Sequence, residues 1–405
     1  MAIKGPLSGV RILDLSQAHA GPYGSQIMAD LGAEVIKIET PLGDLTRQPA
    51  LGKSGGYYIL ALNRNKKGIV LDLWTKSGKE AFLELVKISD VVYDNFRVGA
   101  MKRLGLDHES LKKINPKIIT ASIYGYGSSG PYATYPSYDD VAQAISGLAG
   151  LCGETNGPPM RSGAAVADVC SGIFCSYGVV AALFERERTG VGRRVEVNLL
   201  DTCMALLDNM FEYYFFFGQV PPRQGSRHPL LSLLGYYKTK DGYIAIGPSW
   251  PRIARVINRE WMIDDPRFKD QLSRLMNKQA LEDELEAALK EHDTATWIDL
   301  MRVEDIPCSP INTIDKVLED PQVLHNNIVV NMEHAEYGKI KAVGCPIRMQ
   351  GTCEGTNDAP PMLGEHTEQV LKSLLGWSDE KIAALKKEQE DNLATMQQHA
   401  RKVLA

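Results

Sequence analysis

Apolar and polar residues alternate in blocks along the first two hundred positions. The run VRILDL (10–15) reads as a strand, a turn at Gly21-Pro22 leads into a helix that closes near Gly32, and EVIKI (34–38) reads as a second strand. Two strands joined through a helix predict a parallel sheet. A third strand is expected at 69–73. Ser77-x-x-Glu80 then forms a capping box ahead of Ala81, Phe82, Leu85 and Val86, a helix with one buried face. Runs at 90–93 and 118–123 continue the alternation, so this part of the chain predicts a doubly wound α/β domain. After Pro221-Pro222 the pattern changes. Two β-rich runs flank Asp241-Gly242 within 235–247, a hairpin signal, and helical segments follow, including 279–292 with Ala280, Leu281, Leu285, Ala288 and Leu289 on one side. The stretch 306–310 carries two prolines, 339–349 alternates again, and helices at 367–375 and 379–402 end the chain.

The expected fold class is therefore α/β. Residues 1–223 form a large Rossmann-like domain with a parallel sheet, 224–327 a smaller α+β domain, and 328–405 a return segment.

One stretch, 161–197, draws attention. A run of small residues, GAAVA (163–167), delivers the chain to Asp168, and from Val169 to about Arg188 Ile173, Tyr177, Val180, Ala181 and Phe184 recur at helical spacing. Asp168 thus falls at or just outside a helix N-terminus, where unpaired N–H groups favour an ionised carboxylate. Two readings stand side by side there: a helix N-cap, or a carboxylate nucleophile in a site built from small residues.

Bulk properties narrow the function classes. Apolar content of 44% and charged content of 23% are those of a soluble globular protein. A net charge of −5 gives no electrostatic reason for nucleic-acid binding. Seven scattered cysteines without a Cys-x-x-Cys pair suggest buried, reduced thiols. The N-terminal residues hold no apolar run of signal-peptide length. The aromatic-rich stretch 204–217 contains Asp208, Asn209 and Glu212 and is too short to span a membrane, so it is expected in a core or a subunit interface. Together these readings predict a cytoplasmic protein with neither membrane nor nucleic acid as partner.

Several catalytic motifs are missing. The first β-α turn, SQAHAGPYG (16–24), lacks Gly-x-Gly-x-x-Gly, and Pro22 removes a backbone donor, which argues against nicotinamide or flavin binding. There is no Walker loop, no Gly-x-Ser-x-Gly, and no histidine spacing that suits a metal. The segment 95–103 follows a predicted parallel strand, at the end of the sheet where such folds bind ligands. Asn95 is suited to hydrogen bonding, Phe96 to stacking and Arg103 to bidentate phosphate recognition; a solvated surface helix is the plainer alternative.

Ordered motifs over nearly the whole chain resemble the class III coenzyme A transferases. They are Gly21-Pro22, LGAEVIKIE (31–39), Gly43-Asp44, Asn95-Phe96-x-x-Gly99, Tyr138-Asp139-x-x-Ala142-Gln143, Gly163-x-x-x-x-Asp168, Thr189-Gly190-x-Gly192 and LGEHT (363–367). The branch most similar contains formyl-CoA and carnitine-type CoA transferases. The resemblance implies an interlocked, ring-like homodimer. Asp168 would be the catalytic nucleophile, passing through a mixed anhydride and a β-aspartyl–CoA thioester, with nearby backbone N–H groups stabilising oxyanions. His19, Ala20, Leu71, Asn95, Phe96, Arg103 and Tyr138 would line the coenzyme site. Acyl-CoA and small carboxylic acids would be the substrates, with no tightly bound cofactor and no metal.

Departures from the family pattern are informative. His19 replaces the glutamine of formyl-CoA transferases, and Thr40, Trp74 and Tyr124 stand where basic residues often serve the coenzyme's phosphates. Segment 225–235 replaces the glycine-rich loop that covers the catalytic aspartate, which implies a bulkier or less polar acyl group and disfavours formyl–oxalate exchange. Two rivals remain at this level. An α-methylacyl-CoA racemase shares the fold, but needs an acid/base pair, and Ser137-Tyr138-Asp139 lacks its histidine. The other is a CoA-binding, non-catalytic subunit of a hetero-oligomeric transferase.

Overall fold

The computed structural model describes residues 5–47, 56–223, 225–229, 231–350 and 357–404, without the side chains of 394–404. Residues 1–4, Gln224 at the expected domain boundary, Leu230 and Cys353 lie outside the described residues. Two compact units result. The first comprises Met1–Ser146, Gly163–Leu207 and Asn327–Ala405, and the second Gly147–Ser162 and Asp208–Asn326. Relative to the composition-based boundary, the second unit begins earlier, at Asp208, and takes in 147–162 as well.

In chain order the elements are β1 (Arg11–Asp14), α1 (Ala20–Asp30), β2 (Glu34–Glu39), α2 (Gly56–Leu62), β3 (Lys66–Val70), α3 (Lys76–Lys87), β4 (Val91–Asp94), α4 (Ala100–Leu104), α5 (His108–Lys112), β5 (Ile119–Tyr124) and α6 (Asp139–Ile145). There follow α7 (Leu148–Leu151), α8 (Val166–Thr189), β6 (Arg194–Asn198), α9 (Leu199–Leu206) and α10 (Asp208–Phe217). The six strands form one parallel sheet in the order β3-β2-β1-β4-β5-β6. Order reverses between β1 and β4. Their carboxyl ends therefore open a crevice, the general ligand site of such sheets.

Alternation along the strands divides the apolar side chains between two layers. Leu13, Ile36, Ile38, Ile69 and Val92 meet Phe82 and Leu85 of α3 on one face. Ile12, Val35, Val91, Ile119 and Ala121 meet α1 and α8 on the other. The return segment joins the first face: Val370 and Leu371 of helix Thr367–Leu375, together with Trp377, Ile382 and Leu385, are buried in the α3 layer. The segment also supplies hairpin β10 (Val329–His334) and β11 (Gly338–Val343).

Three local expectations differ. Strand β3 spans Lys66–Val70, earlier than 69–73, because two lysines disguise its start; Lys66 is buried there by ion pairing. Helix α3 is capped by Thr75, whose side chain accepts from Gly78 N, and not by Ser77, which bonds Glu388 of the C-terminal helix. Of the described cysteines only Cys175 and Cys203 are buried; Cys152, Cys170, Cys308 and Cys345 are half-buried.

The second unit has its own antiparallel sheet of β7 (Gly235–Lys238), β8 (Tyr243–Ile246) and β9 (Cys308–Pro310). Its core joins Tyr237, Ile244 and Ile246 to Leu281, Leu285, Trp297 and Met301 from flanking helices.

Candidate functional site

The site grows from two helices whose N-termini face the carboxyl edge of the sheet. Helix α8 begins at Val166, so Asp168 is its third residue and not a cap. Ala165 occupies the N-cap position and offers no side-chain acceptor. A residue distant in sequence supplies the cap: Asp139 Oδ1 accepts from the N–H of Ala167 at 2.8 Å and of Asp168 at 3.1 Å. Gln143 Nε2, one turn along α6, donates to Asp139 Oδ2 at 2.5 Å. In the chain without substrate, the N–H groups of Ala167 and Asp168 are thus engaged by Asp139. The sequence signal for Asp139 lay in the Asp139–Gln143 spacing, which places both side chains on one helical face.

The state of Asp168 also departs from expectation. Burial, then the charges of Asp139 and Asp140, push its carboxyl up to about 7. Desolvation and the two like charges both disfavour its ionised form.

Small residues bring α1 against α8. A Cβ on Gly172 would lie 2.6 Å from the Ala20 carbonyl oxygen, and one on Gly24 would lie 2.7 Å from the Gly172 carbonyl oxygen. Ser176 Oγ donates to Gly24 O at 2.9 Å. The two helices run side by side in the same direction, and Asp168 stands one turn before the Gly172–Ala20 contact. His19 occupies the N-cap position of α1 without making a side-chain cap bond. Its ring packs edge-on to Tyr58 at 5.7 Å. Burial holds its pKa below the ordinary value, against an upward pull from Asp139. His19, Asp139 and Asp168 therefore share one electrostatic environment.

The preceding turn is held from several directions. Asn95 Oδ1 accepts from Gln17 N and Asn95 Nδ2 donates to Gln17 O, both at 2.8 Å, tying the β1 and β4 loops across the switch point. Ser16 N donates to Asp14 Oδ1 at 2.9 Å, Ala18 N to Asp44 Oδ1 at 3.2 Å, and Lys37 Nζ to Ser16 O at 2.9 Å. Lys37 pairs with Asp44 and Lys66 with Asp14, all four side chains fully buried. Burial pushes Lys66 down to about 8.

The other expected site residues are distributed unevenly. Ala20 is buried at the start of α1. Leu71 is buried just after β3 with its side chain in the core, so only its backbone remains for a ligand. Phe96 packs half-buried against that same core. Arg103 is exposed on α4 with no ion pair among the described residues, and Tyr138, next to Asp139, is 70% exposed. The structure joins His19, Ala20, Asn95 and Asp168 through the contacts above, and Tyr138 through its neighbour Asp139. Phe96 follows Asn95 in the chain but packs toward the core, and among the described residues no hydrogen bond ties the side chains of Leu71 or Arg103 to that group. Trp74 is exposed on the loop after β3.

In the second unit, segment 225–235 borders a cavity of about 510 Å³ lined by Ser226, His228, Tyr236 and Ser309, among others. Arg227 does not offer it a free charge. Its guanidinium stacks 3.8 Å from the Tyr237 ring centroid and pairs with Glu282 and Glu286.

Comparison with known proteins adds the following. The model of the family described as CoA-transferase family III matches residues 7–367. A succinyl-CoA:glutarate CoA-transferase of Mus musculus is 37% identical over 387 residues, 94% of this chain and 89% of the relative. An acetyl-CoA:oxalate CoA-transferase of Acetobacter aceti is 36% identical over 356 residues, 86% of this chain and 90% of the relative. Among solved structures, a CAIB/BAIF family protein from Brucella suis superposes with a TM-score of 0.82 at 32% identity, covering 92% of this chain and all of the other.

Proposed function

The chain belongs to CoA-transferase family III, and we propose that it carries out the acyl-CoA:carboxylate transfer of that family through covalent catalysis on Asp168. The observation that carries the proposal is a half-buried aspartate in the first turn of α8, whose backbone N–H is held by Asp139 and which stands one turn before the close contact of Gly172 with Ala20 of α1.

The steps balance without a resident cofactor or metal. The Asp168 carboxylate attacks the acyl carbonyl, the C–S bond breaks, and the coenzyme leaves as a thiolate, so that a mixed anhydride of Asp168 and the acyl group remains. The thiolate then attacks the aspartyl carbonyl and expels the donor acid, leaving a β-aspartyl–CoA thioester. An acceptor carboxylate attacks that thioester, and the returning thiolate takes the new acyl group and restores Asp168. Only the deprotonated form is a nucleophile, so a carboxyl near 7 combines a substantial ionised fraction with high basicity.

The relatives' names, succinyl-CoA with glutarate and acetyl-CoA with oxalate, favour short dicarboxylic acids as at least one of the exchanged partners. We further propose an interlocked homodimer. Two apolar surfaces support it: Ile173, Phe174, Tyr177, Val180 and Phe184 on α8, and Tyr214 to Phe217 on α10, all exposed in the single chain. Apolar surfaces of this extent mark association sites.

The test is Asp168→Asn, assayed for CoA exchange between short dicarboxylic acids. Exchange is expected to vanish while circular dichroism and melting remain those of a folded protein. A folded, active Asp168→Asn enzyme would overturn the proposal.

A further inference from the structure

Asn95 lies where a coenzyme contact was expected, and its half-buried amide is bonded within the protein. Its oxygen and its nitrogen are both bonded to the backbone of Gln17 at 2.8 Å. We infer that Asn95, with the buried pairs Asp14–Lys66 and Lys37–Asp44, forms a clamp that positions the 16–19 turn, and through it the start of α1, against Asp168. Asn95, Asp44 and Lys37 are on this view positioning residues.

Four observations converge. Each residue from Ser16 to Ala18 has its backbone bound by a side chain from elsewhere: Ser16 by Asp14 and Lys37, Gln17 by Asn95, Ala18 by Asp44. Asp44 is itself fixed by bonds from Thr46 N at 2.9 Å and Thr46 Oγ1 at 2.8 Å, and its other oxygen holds Lys37. Ala18 adopts φ +61°, a left-handed conformation that an alanine keeps only where its surroundings impose it. The turn is also pressed onto the helix it feeds. A Cβ on Gly21 would lie 2.2 Å from Ser16 Cβ and 3.3 Å from Asn95 Cγ.

The same lattice reaches the helix from below. Lys66 Nζ donates to Pro22 O at 2.9 Å and to Ser25 Oγ at 2.8 Å while pairing with Asp14 at 3.1 Å. Helix α1 is thereby held at its first turn from the turn side and the sheet side, where its Ala20 carbonyl meets Gly172, one turn from Asp168. Misplacement of a reacting group by about 1 Å costs on the order of 100-fold in rate, so a rigid turn at this point has a catalytic consequence. Rigidity is gained by charge pairs that neither touch solvent nor reach the open crevice.

This inference rests on the reading of Asp168 as the nucleophile. The experiment therefore runs wild type, Asp168→Asn and Asn95→Ala together, using whichever short dicarboxylic pair the wild type exchanges fastest. It measures kcat, and the Kd for CoA itself by calorimetry. The clamp predicts that Asn95→Ala lowers kcat by about 10- to 100-fold and leaves the Kd for CoA within about threefold of wild type, as expected when no ground-state contact is lost. Asn95→Asp, which keeps the acceptor for Gln17 N–H and loses the donor, is expected to fall between the two. A weakened Kd with kcat retained would identify Asn95 as a coenzyme contact and overturn the inference, and unchanged kinetics would overturn it as well. If Asn95→Ala fails to fold, Asp44→Asn, which keeps the acceptor for Ala18 N–H and removes the charge facing Lys37, serves the same discrimination. An active Asp168→Asn enzyme would instead refute the underlying mechanism, whatever Asn95 does.

Discussion

Asp168 illustrates how far one residue's chemistry is set by partners remote in sequence. It feels the charges of Asp139 and Asp140 of α6 and acts in turn on Cys203 of α9, while Asp139 also acts on His19 at the start of α1 and on Cys170. Its carboxyl at about 7 predicts that kcat/KM rises with pH through that value as the nucleophile ionises. Asp139→Asn keeps an acceptor for the Ala167 and Asp168 N–H groups and removes one negative charge. It is expected to move the acid limb of the pH profile to lower pH; an unmoved limb would show that burial alone sets it. Stability carries the same signature. A folded-state pKa raised above the unfolded 3.8 means that the folded state binds more protons between those values. Stability is therefore lost as pH rises through the window and is lowest, for this group, above 7. Asp168→Asn should consequently stabilise the protein at pH 8.5 by on the order of 1–3 kcal/mol, and by less at pH 5. Denaturation at the two pH values checks this, and an equal gain at both would contradict it.

At the scale of elements, the first β-α-β unit, β4, β5 and the hairpin around Asp241-Gly242 were legible because alternation and turn chemistry are local. The less legible features depended on distant partners. Lys66 and Lys37 look like surface residues in a strand pattern, but they are buried by Asp14 and Asp44. Burying such pairs gains little net stability, whereas removing one partner strands the other charge. Lys66→Met is therefore expected to lower unfolding free energy by about 3–5 kcal/mol, and chemical denaturation that finds under 1 kcal/mol would refute the burial argument. Helix α8 shows the limit of periodicity. The apolar spacing Ile173, Tyr177, Val180, Phe184 located the helix, but those residues form its exposed stripe. Its inner face is built from Ala167, Ser171, Cys175 and Val179, small enough for α1 to approach closely. The helix start was misjudged by three residues because its cap is Asp139, which no local window contains.

For the whole molecule, the motifs spread from Gly21 to Thr367 carried more functional information than any single segment, since ordered spacing over that length identifies a family where a lone aspartate does not. The outer stripe of α8 then predicts a state of assembly. Wild type should sediment at twice the chain mass, and Tyr177→Lys with Phe184→Lys should shift it toward the single chain; a monomeric wild type would refute the proposed dimer. The central claim is that the acyl group and the coenzyme pass through Asp168. Incubating the protein with acyl-CoA, trapping with hydroxylamine or borohydride, and mapping the peptides tests it most directly. The mechanism predicts a modification confined to Asp168 that disappears in Asp168→Asn. An unmodified Asp168 in an enzyme that is turning over would contradict it.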